Sequence, residues 1–125
     1  MYEKIILNPR LGNIIIQFVM PDWRQTEVLV RYRFRLRSGN SVSESFYGDN
    51  KILNDDTFMP FGIHEYIGKM LECDIQTFAL PGYTGGANIE IQIKQQNSPN
   101  LINAPYSLTI PSDSGDGEYL VEFTV

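Results

Sequence analysis

Cysteine, histidine and tryptophan each occur only once in the 125-residue chain, which limits the chemistry that the sequence can support. With Cys73 alone no intrachain disulfide can form, and Cys73 and His64 are too few ligands for a zinc site. No motif pairs the two side chains as nucleophile and base. We therefore expect no catalytic residues and no cofactor.

Long apolar runs are also lacking. Residues 5–7 are too short for the apolar core of a signal peptide, and no run approaches the roughly 20 residues of a membrane-spanning helix. We therefore expect a soluble protein that does not associate with membranes, and a cytoplasmic location by default. No repeat, low-complexity tract or linker divides the sequence, so residues 1–125 are expected to form a single domain.

Basic residues are outnumbered, with 10 lysines and arginines against 15 aspartates and glutamates, for a net charge of −5. Four of the basic residues lie within residues 31–37, so the remainder of the chain is strongly acidic. An acidic body disfavours general affinity for nucleic acids, which we exclude as partners, but it leaves room for a local anion site.

The most informative stretch is residues 28–37, where apolar and basic side chains alternate. The even positions are apolar from Val28 to Leu36, and the odd positions from 31 onward are Arg31, Arg33, Arg35 and Arg37. A strand places successive side chains on opposite faces, whereas a helix would scatter the arginines around its circumference. The pattern predicts a β-strand with Tyr32 and Phe34 buried and four arginines on the outer face.

Further strands are predicted by alternation at residues 70–79, 89–93 and 119–125, the last with Tyr119, Val121, Phe123 and Val125 facing the core. A run at residues 14–20 is apolar on both faces, which predicts a central strand buried on two sides. Residues 42–47 are expected to return antiparallel to the arginine strand after a turn at residues 38–40. Helical spacing occurs only around residues 58–68, and Gly62 and Gly68 limit the helix to one or two turns.

These signals predict an all-β fold in which roughly seven to nine strands form two antiparallel sheets packed face to face, with one short helix around residues 58–68. Immunoglobulin-like, C2-like and jelly-roll-like sandwiches share this architecture, and a closed barrel is the alternative.

The arginine face has two interpretations. Four arginines about 6.6 Å apart could bind phosphates, sulfated sugars or an acidic protein through bidentate contacts. Alternatively, carboxylates from neighbouring strands neutralise them, and we favour this interpretation because exposed charges usually pair or are solvated. The candidate partners are Glu72, Asp74, Glu90, Glu118 and Glu122.

Two acidic segments, residues 49–56 and 112–118, are predicted to be loops. Their oxygen-rich side chains are of the type that calcium prefers, but their spacing does not match an EF-hand. Asp, Asn, Ser and Gly are also the ordinary residues of turns, which is the interpretation we favour. The weak candidates for a metal site are Asp49, Asp55, Asp56, Asp113 and Asp116.

Two aromatic side chains in predicted loops, Trp23 and Tyr83, are candidates for recognition of a partner. The sequence therefore predicts a non-catalytic binding or assembly module. Its partner would be a carbohydrate or a protein, which includes a second copy of the chain. A calcium-dependent C2-like domain and a hydrolytic enzyme with an unrecognised site are the alternatives.

Overall fold

The computed structural model describes residues 2–20, 27–51, 55–82, 87–104, 106–110 and 114–125. These residues form ten strands and one helical turn. In chain order they are β1 (Tyr2–Ile6), β2 (Ile14–Val19), β3 (Val28–Ser38), β4 (Ser41–Val42), β5 (Phe46–Asp49), β6 (Asp55–Phe58), α1 (Ile63–Tyr66), β7 (Met70–Ala79), β8 (Ala87–Gln95), β9 (Tyr106–Ile110) and β10 (Ser114–Thr124).

The strands form two sheets. The arginine sheet has the order β1-β10-β7-β3, and both β4 and β5 pair with β3, while the opposite sheet has the order β6-β2-β8-β9. Every described strand pair is antiparallel except β1 with β10, the first and last strands. A parallel pair requires a long connection between its two strands, and β1 and β10 are joined by most of the chain. The predicted all-β sandwich is confirmed.

The core lies between the two sheets. The even-numbered side chains of β3 from Val28 to Leu36 are buried, and the Tyr32 ring stacks on Phe18 of the opposite sheet with centroids 3.9 Å apart. Phe34 meets Phe58 edge to face at 5.0 Å. The predicted register of the arginine strand is therefore confirmed, since Tyr32 and Phe34 face the core and the arginines face outward.

The strand β2 is central in its sheet, as predicted, but only one of its faces is fully buried. Ile14, Ile16 and Phe18 have almost no exposure, whereas Ile15 and Val19 on the other face are half-buried. A two-layer sandwich covers one face of each sheet, so apolar residues on both faces of a strand do not require a third layer.

Three shorter segments differ from the sequence-based expectation. The helix is confined to Ile63–Tyr66, and Gly68 follows it in a left-handed conformation with φ +76°, which disfavours continuation of the helix. Phe58, where the expected helical range begins, is the last residue of strand β6 instead. Val125 was expected in the core but is exposed, because β10 ends at Thr124. No helix within the described ranges has the length and apolar character needed to cross a membrane.

The acidic segments are strands over much of their length, so the prediction of two loops was wrong there. Asp49 belongs to β5, Asp55 and Asp56 belong to β6, and Asp116 lies on the outer face of β10. In β10 the alternation was hidden because the positions facing the core side are glycines, Gly115 and Gly117, rather than apolar residues. Turn-rich composition therefore masked a strand.

Candidate functional site

Most arginines of β3 form ion pairs within the arginine sheet. Arg33 forms an ion pair with Asp74 on the neighbouring strand β7. Arg35 Nε and Arg37 Nε lie 3.2 Å and 2.8 Å from the same atom, Glu72 Oε1. The predicted pairing within the sheet is confirmed for these three arginines, and β7 alone supplies the two carboxylates.

Arg31 is the exception. Opposite Arg31, β7 carries the amide Gln76 instead of a carboxylate. The register neighbour on the other side is Asp49, whose Oδ1 accepts the backbone N–H of Lys51 at 2.8 Å. Among the described residues Arg31 has neither an ion pair nor a hydrogen bond through its side chain. Its guanidinium group is therefore not paired with any side chain of the described residues.

Arg31 and Arg33 line a groove of about 1000 Å³ on the outer face of the arginine sheet. Its wall consists of two rows of side chains, each with one residue from β5, β3, β7 and β10. With neighbouring strands about 4.8 Å apart, each row is about 14 Å long, and the rows are about 7 Å apart. The first row is Asp49, Arg31, Gln76 and Asp116, and the second is Tyr47, Arg33, Asp74 and Glu118.

One rim of the groove is formed where the two sheets meet beside β5. The hydroxyl of Tyr32 donates to the Asp56 carboxylate of the opposite sheet, and both residues line the groove. Burial, followed by the contact with Asp56, raises the pKa of Tyr32 well above its usual range. A Cβ atom at Gly48 would overlap the Tyr32 phenol and the Asp56 carboxylate, so this position requires glycine.

Tyr47 is brought into the groove by a bulge. Near the turn, Arg37 opposes Val42, but further along β3 Arg33 opposes Tyr47, so the second strand contains one extra residue in between. Ser43 marks this irregularity, since its Oγ accepts the Leu36 N–H at 2.9 Å. A uniform register would place Tyr47 opposite Tyr32 and point it toward the core, because a shift of one residue exchanges the faces of a strand.

The groove carries an excess of negative charge. Two guanidinium groups face five carboxylates along its lining. The hydrogen bond with Asp74 is the main cause of a raised pKa for Arg33, and the Tyr47 side chain adds to it. Gln76 and Asp116, like Arg31, have no hydrogen-bond or ion-pair partner among the residues that the structure describes. Polyanionic ligands such as phosphates or sulfated sugars are disfavoured by this field.

The structure separates the candidates that the sequence suggested. Arg31, Arg33, Asp49, Asp56 and Asp116 line the groove. Arg35 and Arg37 lie beyond it and pair with Glu72. Asp55 is in β6 opposite Val19. Trp23, Tyr83 and Asp113 are outside the described residues. Within the described ranges, no three His, Cys, Asp or Glu side chains are grouped so that they could hold a metal ion.

Four residues of the two rows were not candidates for binding in the sequence analysis: Tyr47, Asp74, Gln76 and Glu118. Alternation along β7 already placed Gln76 on the same face as Asp74, and pairing of β7 with the arginine strand would have identified both. Tyr47 carried no such signal, because the bulge determines its direction.

The single cysteine and the single histidine, Cys73 and His64, lie outside the groove. Cys73 is fully buried on the core side of β7, and burial raises the pKa of its thiol far above the usual range. His64 lies in α1 and is exposed. A protonated thiol in an apolar core behaves as a small hydrophobic side chain.

No protein-family model, curated protein or solved structure matches the chain. Functional inference therefore rests on the geometry and charge of the groove.

Proposed function

We propose that this chain is a non-catalytic binding module that recognises a carbohydrate in the groove of the arginine sheet. The observation that carries the proposal is an exposed aromatic ring beside planar polar side chains on a concave sheet face. Tyr47 is 68% exposed and adjoins Arg31, Arg33 and Asp49. Sugar rings present C–H faces that pack on aromatic rings, and their hydroxyls donate to carboxylates and accept from guanidinium groups.

The shape of the site favours a small ligand over a protein. A concavity of about 1000 Å³ lies at the upper end of the volumes of small-molecule sites. Protein interfaces are broader, with about 800 Å² buried on each partner, and charged residues are depleted at their centres. The groove has seven charged residues in its lining, which suits a ligand rich in hydroxyl groups.

The rigidity of the site also supports this ligand class. The groove residues of the two rows project from paired strands, and Arg33 is fixed further by Asp74. The paired strand backbone and the Arg33–Asp74 pair are held in place before binding, so they lose little conformational entropy when a ligand binds. A sheet face of this kind is suited to weak, specific binding of a flexible chain.

The experiment is affinity electrophoresis in gels that contain neutral soluble polysaccharides, namely hydroxyethylcellulose, arabinoxylan and galactomannan. We expect at least one polymer to retard the protein. Tyr47→Ala should abolish retardation with little change in melting temperature, because the ring is mostly exposed, and Tyr47→Phe should retain it. Tyr2→Ala is the matched control, since Tyr2 is 51% exposed on the same sheet but outside the groove.

Other outcomes would assign the groove differently. Retardation by none of the polymers, or equal loss in Tyr47→Ala and Tyr2→Ala, would refute the proposal. Release of reducing ends from a bound polymer would make the protein a hydrolase. A concentration-dependent dimer that Tyr47→Ala dissociates would assign the groove to a second copy of the chain.

Calcium dependence has a separate test. A folded-state ligand stabilises by RT ln(1 + [L]/Kd), about 2.7 kcal/mol at a hundredfold excess over Kd. We expect melting curves in millimolar calcium and in chelator to coincide. A shift of several degrees would favour a calcium-dependent domain instead.

A further inference from the structure

Three adjacent side chains in the groove have no partner within the described part of the protein: Arg31, Gln76 and Asp116. They project from β3, β7 and β10 and lie in one row across the strands. The Arg31 guanidinium group donates hydrogen bonds, the Gln76 amide both donates and accepts them, and the Asp116 carboxylate accepts them. The second row differs, because Arg33 and Asp74 already satisfy each other.

We infer that the groove binds an uncharged glycan laid across the strands along this row, with Arg31, Gln76 and Asp116 as its hydrogen-bonding residues. The inference rests on the proposed function and adds the charge and the direction of the ligand. Two strand spacings separate Arg31 from Asp116, about 10 Å, so the row contacts more than one sugar ring. Tyr47 lies in the adjacent row beside Arg31 and supplies the stacking surface.

Charge argues for a neutral ligand. An anionic sugar that reached Arg31 would also meet Asp49 beside it, and Asp116 lies in the same row beyond Gln76. The excess of carboxylates in the lining attracts a cationic sugar at Asp116, but a polycation laid along the whole row would also meet the guanidinium group of Arg31 two strands away. A hydroxyl group both donates and accepts, so a neutral sugar satisfies every member of the row without like-charge contact.

The first test compares polymers of different charge. Neutral hydroxyethylcellulose, arabinoxylan and galactomannan are run against polygalacturonate and chitosan, at low and at physiological salt. We expect retardation by a neutral polymer that does not change with salt, because salt screens only charge–charge attraction. Stronger retardation by polygalacturonate or chitosan, lost at physiological salt, would overturn the inference.

The second test uses variants of the row, titrated by calorimetry with an oligosaccharide of the bound neutral polymer. Arg31→Ala and Asp116→Ala should each weaken binding about tenfold or more, because each removes a charged hydrogen-bonding group. Gln76→Glu should also weaken it, since a carboxylate at this position would pair with Arg31. Arg37→Ala is the matched control, because Arg37 belongs to the same strand face but lies outside the groove.

The outcomes separate this inference from the proposed function. If a neutral polymer binds and Tyr47→Ala abolishes binding while Arg31→Ala and Asp116→Ala bind as tightly as the parent protein, the binding module stands and the inferred row is wrong. If no polymer binds, the proposed function fails and the inference with it. Unchanged melting temperatures of the variants would show that the comparison measures binding rather than folding.

Discussion

Tyr66 and Tyr119 are both fully buried, but only Tyr119 has hydrogen-bond partners for its hydroxyl group. The Tyr119 hydroxyl donates to Glu3 Oε1 at 2.9 Å and accepts from Asn103 Nδ2 at 3.1 Å. The Tyr66 hydroxyl contacts no partner among the described residues. Removal of each hydroxyl by substitution with phenylalanine should therefore change stability in opposite directions.

The magnitudes follow from the two environments. A buried polar group without a partner costs about 1–3 kcal/mol, and Tyr66→Phe removes it while the ring keeps its edge contacts with Phe61 and Phe123. We expect Tyr66→Phe to raise the free energy of unfolding by about 1 kcal/mol, and therefore to raise the melting temperature by about 4 °C in a domain of this size. Tyr119→Phe loses a hydrogen bond to a carboxylate and should destabilise by about 1.5–3 kcal/mol.

Thermal melts and urea titrations followed by circular dichroism provide the measurement. The urea m-value should stay constant, because neither substitution changes the surface exposed on unfolding. If Tyr66→Phe destabilised the protein as much as Tyr119→Phe, the Tyr66 hydroxyl would have to be satisfied in the folded state, and the reasoning would be wrong.

Four further outcomes are expected. Phe34→Ala should destabilise by about 3–5 kcal/mol in a urea titration through the cavity it leaves, and a loss below about 1 kcal/mol would contradict its place in the core. Reversal of Arg35 and Arg37 to glutamate should lower the melting temperature by setting like charges beside Glu72, and an unchanged value would show that the pairs contribute nothing. Gly48→Ala should destabilise by about 1–3 kcal/mol through overlap with the phenol beneath it, whereas its control Gly62→Ala, with open space around the position, should not. Burial holds the pKa of three tyrosines and of the thiol above their unfolded values, so the folded state retains protons that the unfolded state releases. The stability that these four groups contribute should therefore be constant below about pH 7.5 and fall as pH rises through about 8.5 and then about 10, and melts that stay unchanged to pH 11 would refute this.

Alternation was sufficient to predict the parts of the fold in which polar and apolar residues follow the strand period. In the arginine strand and in β7 almost every second residue is buried, and both strands have the register that the alternation predicted. Charge pairing between them was predictable for the same reason, since Glu72 and Asp74 share the outer face of β7. Here the local pattern and the tertiary structure agree.

The groove was not predictable as a whole because two of its determinants leave no periodic signal. The bulge between β4 and β5 adds one residue and turns Tyr47 outward, which depends on the pairing partner rather than on the local sequence. In β10, Gly115 and Gly117 occupy the positions where a strand normally shows apolar residues. Asp116 was consequently assigned to a loop.

The two interpretations of the arginine face, pairing and binding, apply to different parts of it. Where β7 presents Glu72 and Asp74, the guanidinium groups are neutralised and the face stabilises the sheet. Where β7 presents Gln76, Arg31 has no ion pair among the described residues, and the groove lies at this end of the strand. An amide carries no charge, so Gln76 cannot form an ion pair with Arg31, but it can still form hydrogen bonds with a ligand. Gln76 therefore marks the boundary between the part of the arginine face that stabilises the sheet and the part that we propose to bind a glycan.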